Sequence, residues 1–251
     1  MSPTATPRLR GAIGSARPQW VRAAATHLQV YLFLWVCAWV VVVVGIALAL
    51  VIVDRVGAVT VSVAQFVRDG PLVWFLFAIG VVVVSAYLTP HVANGMTRRS
   101  FGRGALLAGT VNGVLNGVTA AAVVLLEGVL YDRMGWTHGT PGDSSEPGIW
   151  EQGAGVVVLD HTLTALAGSV SGLLVAVTYY RLGGWWGTLA LPLTVLPVLF
   201  LMFTTAWREA PFMPWNIAGS AAYAVSALIT LTAAAAFVLL VRRVPIARTE
   251  S

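Results

Sequence analysis

Apolar residues are gathered into six long runs separated by short polar islands, at about Leu28–Val53, Leu72–Leu88, Ala105–Leu126, Val156–Tyr179, Trp186–Thr204 and Ile217–Val241. Runs of about 17 to 25 residues are what a helix needs to cross about 30 Å of hydrocarbon. The first is long enough to tilt; the second, which begins after Pro71, is the shortest. The pattern predicts an all-α polytopic membrane protein of six transmembrane helices. It divides the chain into a cytoplasmic segment at 1–27 with an amphipathic lead-in, a transmembrane domain at 28–241 and a cytoplasmic tail at 242–251.

Composition sharpens this picture. Over 251 residues, 58% are hydrophobic and 10% charged, more apolar than a water-soluble core of that size requires. With both termini inside, eleven of the fifteen arginines fall in inner segments, leaving Arg55, Arg68, Arg133 and Arg208 outside. Carboxylates lean the other way: Glu250 is inside, whereas Asp54, Asp69, Asp132, Asp143, Glu146, Glu151 and Glu209 are outside. The net charge of +5 is therefore read as orientation and contact with anionic membrane lipid, with no nucleic acid as partner. Residues 1–27 do not resemble a cleaved signal peptide, so the first span is expected to be an uncleaved anchor. There is no lysine, which excludes a Walker A lysine and a Schiff base within this chain. The single cysteine, Cys37, permits no intrachain disulfide.

The candidate chemistry is sparse. Gly109, Gly113 and Gly117 recur at four-residue spacing on the third span beside Asn112 and Asn116. Small residues at that spacing let helices approach closely, so the glycines predict a helix-packing seam; the two amides are the candidate substrate path. Gly168 and Gly172 bracket Ser169 and Ser171 in one weaker repeat. A protease built on either serine with His161 as base is disfavoured, because His161 lies more than two helical turns away. His91, His138 and His161 lack metal-ligand spacing, and no metal, cofactor or catalytic group is expected. Glu127 and the Asp160–His161 pair lie near the outer ends of their spans. The favoured reading is interfacial, with a proton or substrate role as the alternative. Pro192 and Pro197 are expected to kink the fifth span. The Trp207–Asn216 link is expected at or dipping into the outer interface, and the long loop Tyr131–Gly155 over the outer face.

The most informative polar island is Asn94-Gly95-Met96-Thr97-Arg98-Arg99-Ser100-Phe101-Gly102-Arg103, between spans two and three. Thr97 is placed to cap a helix starting at Arg98. With the basic lead-in Arg17-Pro-Gln-Trp20-Val-Arg22, six spans and the Pro/Trp-rich link, it resembles the membrane subunits of type-2 ABC exporters, the ABC-2 permeases. The resemblance covers nearly the whole chain. It implies a homodimer or heterodimer of permease subunits carrying separate ABC ATPase subunits, with Asn94, Gly95, Thr97, Arg98, Arg99, Phe101 and Arg103 as the coupling segment. The implied function is ATP-driven export across a bacterial cell membrane, with hydrolysis by the partner and not by this chain. The alternative is a non-catalytic membrane anchor or sensor whose arginines bind lipid or a regulator. A secondary transporter is disfavoured for want of a carboxylate at a span centre.

Overall fold

The computed structural model describes residues 18–140, 148–206 and 219–244. Among these the fold is a helical bundle: α1 (Gln19–Val56), α2 (Val63–Val67), α3 (Val73–Ala93), α4 (Arg98–Met134), α5 (Ala154–Leu189), α6 (Leu191–Ala206) and α7 (Gly219–Val241). Five helical stretches are long and apolar enough to cross a membrane: α1, the continuous Val63–Ala93 stretch, α4, α5 and Ser220–Val241 of α7. The expected fifth span at Trp186–Thr204 is not one helix. The chain turns at Ala190, and the apolar helix that follows, Leu191–Phe203, is shorter than the other five. Pro192 sits in its first turn, where a missing N–H costs no hydrogen bond, and Pro197 lies inside it. The Trp207–Asn216 link lies outside the described residues.

Helix α1 runs unbroken from Gln19, so the expected boundary after residue 27 falls within it. Its first turns pack against α4. A Cβ at Gly104 would stand 2.6 Å from the Ala23 Cβ and 2.9 Å from the Ala24 nitrogen, which only a glycine avoids. The same end collects the start of α1, the α3–α4 turn and the end of α7, where Val241 fills the space beside Gly102.

At the centre stands α5, packed by α3, α4, α6 and α7. Close approach explains its composition. Gly168 lies under the Val73 carbonyl and Gly172 under that of Phe77, while Gly80 of α3 faces the Ser169 carbonyl in return. On its other side α5 meets α4 through Gly113, beside Leu166, and Gly117, against the Thr162 backbone; Gly109 is looser, with Leu173 and the Tyr31 hydroxyl nearest. Toward its end α5 breaks at Gly183, whose φ of 76° and ψ of 179° lie outside the helical region and favour glycine.

At the opposite end from the α3–α4 turn, α1 leads through Gly57–Ser62 into α2. This connection pairs with the chain beyond α4: Thr137 N donates to Val59 O (3.2 Å), Gly139 N to Thr60 O (3.1 Å) and Ser62 N to Gly139 O (2.9 Å). The described part of the long loop is thus held down over this end of the bundle; 141–147 lie outside the described residues.

Candidate functional site

Between α2 and α3 the chain makes one π-helical turn, Arg68–Leu72. Pro71 within it has no N–H to give, and the wider turn lets the helix continue past that gap. The turn carries Arg68 into the bundle, where its side chain is 5% exposed and pairs with Asp69 and with Asp160 of α5, which is fully buried. Arg68 also donates to Thr164 Oγ1 (2.7 Å), whose hydroxyl donates to the Asp160 carbonyl (2.8 Å). Gln65 Nε2 holds Asp69 at 2.9 Å, and Tyr223 of α7 stands beside the Asp160 carboxylate. The ion pair and the hydrogen bonds to its two carboxylates thereby tie α2, the π turn, α5 and α7 together. Buried charges survive only when paired and hydrogen-bonded, and at membrane depth such a pair marks a site where function is sought first.

This placement corrects two sequence readings. Arg68 is not an outer-loop arginine, and Asp160–His161 does not snorkel to water. The spacing along α5 was legible, but a partner 92 residues away was not; the available signal was one arginine following the otherwise uncharged stretch Val56–Val67. His161 turns its Nδ1 toward the Val157 carbonyl (2.8 Å), and its Nε2 meets no partner. A cavity of about 10 Å³, lined in part by Arg68, His161, Thr164 and Gly117, lies beside it, enough for about one water. The Ser169 and Ser171 hydroxyls are buried without a hydrogen-bond partner, so neither is joined to a base.

Glu127 is likewise buried. Because α4 continues to Met134, two turns past the expected end of the span, Glu127 lies inside the helix wall. Its carboxylate accepts from Val63 N and Ala64 N (3.0 Å each) and from the Ser62 hydroxyl. The Tyr131 hydroxyl lies 3.3 Å away and His138 Nε2 3.2 Å away. His138 in turn stacks on Trp150 with ring centroids 3.8 Å apart. A carboxylate at the first N–H groups of a helix satisfies donors that have no partner within it. Glu127 is therefore the pin that fastens α2 and the covering loop to α4.

At the other end lies the basic turn. Helix α3 ends at Ala93, Gly95 adopts φ 82°, and Met96 N returns to the His91 carbonyl (3.0 Å). Thr97 caps α4 by accepting from Ser100 N (3.1 Å), and its own N–H donates to Gln19 Oε1 of α1 (3.3 Å). Asn94, Gly95, Arg99 and Arg103 are exposed and Arg98 is half-buried. Phe101 points the other way and is fully buried, edge-on to His27 and His91. Both ring nitrogens of His27 lack a hydrogen-bond partner.

Asn112 and Asn116 lie between these two ends. Trp39 Nε1 of α1 donates to Asn116 Oδ1 (3.1 Å), and Asn116 Nδ2 donates to the Asn112 carbonyl (2.9 Å) and side chain (3.0 Å). Both are buried, Asn116 against Trp39 of α1, and neither lines the cavity beside the ion pair. Among the described residues no three His, Cys, Asp or Glu side chains converge as a metal site. No family model, no curated protein and no solved structure matches this chain.

Proposed function

We propose that this chain is the permease subunit of an ATP-driven exporter in a bacterial cell membrane, working with a separate ATPase and a second permease subunit, identical or not. The observation that carries this reading is the construction of the basic turn. Asn94, Arg99 and Arg103 face outward and Arg98 is half-buried, while Thr97, Gln19 and Phe101 lock the turn's backbone to α1, α3 and α4. A soluble partner pressing on such a turn moves three helices as one lever.

The far end supplies the resistance. For the bundle to part there, the π turn must leave α5, which separates Arg68 from Asp160. Alternating access needs two discrete packings, and glycine contacts between helices, with a break at Gly183, allow sliding without bulky side chains interlocking. The glycine contacts of α4 and the Asn112–Asn116 pair then serve packing and registration.

The test is co-purification with an ATP-binding-cassette protein encoded beside this chain, followed by ATP hydrolysis in reconstituted vesicles. Arg98→Glu with Arg99→Glu is expected to abolish association and stimulated hydrolysis while leaving membrane insertion intact, since the other arginines still orient the chain. Unchanged association would instead favour an anchor whose arginines touch lipid head groups.

A further inference from the structure

Near the basic turn α1 and α4 touch backbone to backbone through Gly104, and at mid-depth the Trp39 side chain bridges them. Beyond that point they enclose a groove of about 540 Å³. One wall runs along α1 from Val43 to Asp54 and the other along α4 from Val123 to Met134, each about 16 Å long at helical rise. That is about half the hydrocarbon thickness of a bilayer, the depth of a single leaflet. The walls are aliphatic until the mouth, which Asp54, Arg55 and Trp136 line. Neither Asp54 nor Arg55 is ion-paired with any described residue.

We propose that this groove is a binding site for one phospholipid with an amine-bearing zwitterionic head group. One acyl chain fills the slot, the phosphate meets Arg55, the ammonium meets Asp54, and Trp136 lies at head-group level. Depth suits a chain: at about 16 Å the slot matches one leaflet, the reach of an acyl chain and about half of what a spanning helix needs. Charge selects the head group. Adjacent charges of opposite sign match a zwitterion, whereas a head group bearing only phosphate sets its negative charge beside Asp54. Tryptophan at the interface suits the same depth. This site does not depend on the presence of an ATPase.

The experiment is native mass spectrometry of the full chain, delipidated in detergent and titrated with phosphatidylethanolamine or phosphatidylglycerol. The parent is expected to retain one phosphatidylethanolamine about tenfold more tightly than phosphatidylglycerol, the difference one charge-assisted contact makes. Asp54→Asn, at the exposed mouth, should erase that preference without disturbing the bundle, and Arg55→Gln should weaken both lipids. Ala47→Trp and Val123→Trp, each placing an indole in the slot, should each reduce retention of both lipids about tenfold or more. Equal binding of the two lipids by the parent overturns the head-group assignment. Retention unchanged in both tryptophan variants overturns the site. Loss of a dimer in those variants with lipid retention unchanged makes the groove a contact between copies, which also overturns it.

Discussion

Helices α1 and α5 are of similar length and opposite construction. In its most apolar stretch α1 reaches a mean hydropathy of 3.2 and is 11% buried within the bundle; α5 reaches only 1.5 and is 78% buried. The least hydrophobic of the spanning helices is thus the innermost. In water this order would be perverse, but in lipid it follows from the solvent. A helix facing acyl chains must be apolar on every exposed side, whereas one surrounded by protein can carry glycines, hydroxyls and a charge whose partner is also protein. Hydropathy therefore locates helices well, and its residue-level failures locate the core.

The most severe way to break this contrast is to unpair the charge that α5 carries. Asp160→Ala leaves Arg68 buried beside Asp69 alone, and Arg68→Ala leaves Asp160 uncompensated; each is expected to cost about 3–5 kcal/mol. Fluorescence-detected size-exclusion chromatography after a temperature ramp should show little or no monodisperse protein for either. Replacing both with apolar residues, Arg68→Met with Asp160→Leu, should recover most of the loss in stability but not function. Two single variants as stable as the parent would mean that the pair faces water.

Next come the glycines. A methyl group at Gly172 runs into the Phe77 carbonyl, and one at Gly117 into the Thr162 backbone, so Gly172→Ala and Gly117→Ala are each expected to cost about 1–3 kcal/mol. Gly113→Leu, beside Leu166, should disrupt the bundle more than Gly109→Ala, which meets only movable side chains. The control lies on α1: Gly45 has nothing within 4 Å of its would-be Cβ, and Gly45→Ala should be neutral or slightly stabilising. Thermal midpoints of the set measured together decide the point.

The cap at the far end gives a smaller effect. Glu127→Gln keeps the shape but places an amide where three donors converge, at an expected cost of about 1–2 kcal/mol. Its sharper readout is hydrogen exchange: the Val63 and Ala64 amides should lose protection while those in α5 keep theirs. Protection lost throughout would show that α2 and α5 unfold together.

How much of this was readable beforehand differs by element. Five of the six apolar runs fall on the long helices, because a period-free apolar run of such length has few other fates. Asn94–Thr97 announced a turn and a cap through residue types that act locally, as Gly95 and Thr97 do. The fifth run misled because the chain turns at Ala190: Trp186–Leu189 belong to the end of α5, and the helix that follows begins only at Leu191. Arg68 misled through Pro71, which reads as the start of a helix when it in fact sits within a π turn. Glu127 misled because charge near the end of an apolar run looks interfacial until one knows that α4 runs seven residues further. These last two are pairings across 92 and about 64 residues, and nothing in local sequence encodes which distant group closes such a bond.

The smallest effects belong to the outward face of α1. Val41 is 71% exposed and Leu48 57%, and neither lines the groove shared with α4. If lipid is all that covers them, Val41→Ala and Leu48→Ala should change stability by less than about 0.5 kcal/mol, the usual range for exposed positions away from a special contact. Val41→Trp should be accommodated equally well, since acyl chains rearrange around a larger side chain where packed protein cannot. The informative failure is a tryptophan variant that folds, keeps its thermal midpoint and elutes at a smaller assembly size than the parent. That result would put a second subunit on the valine face and make α1 an interior helix of the assembly. Its composition would then reflect an interface whose partner is as apolar as lipid, and the contrast with α5 would be one between subunit contact and bundle core.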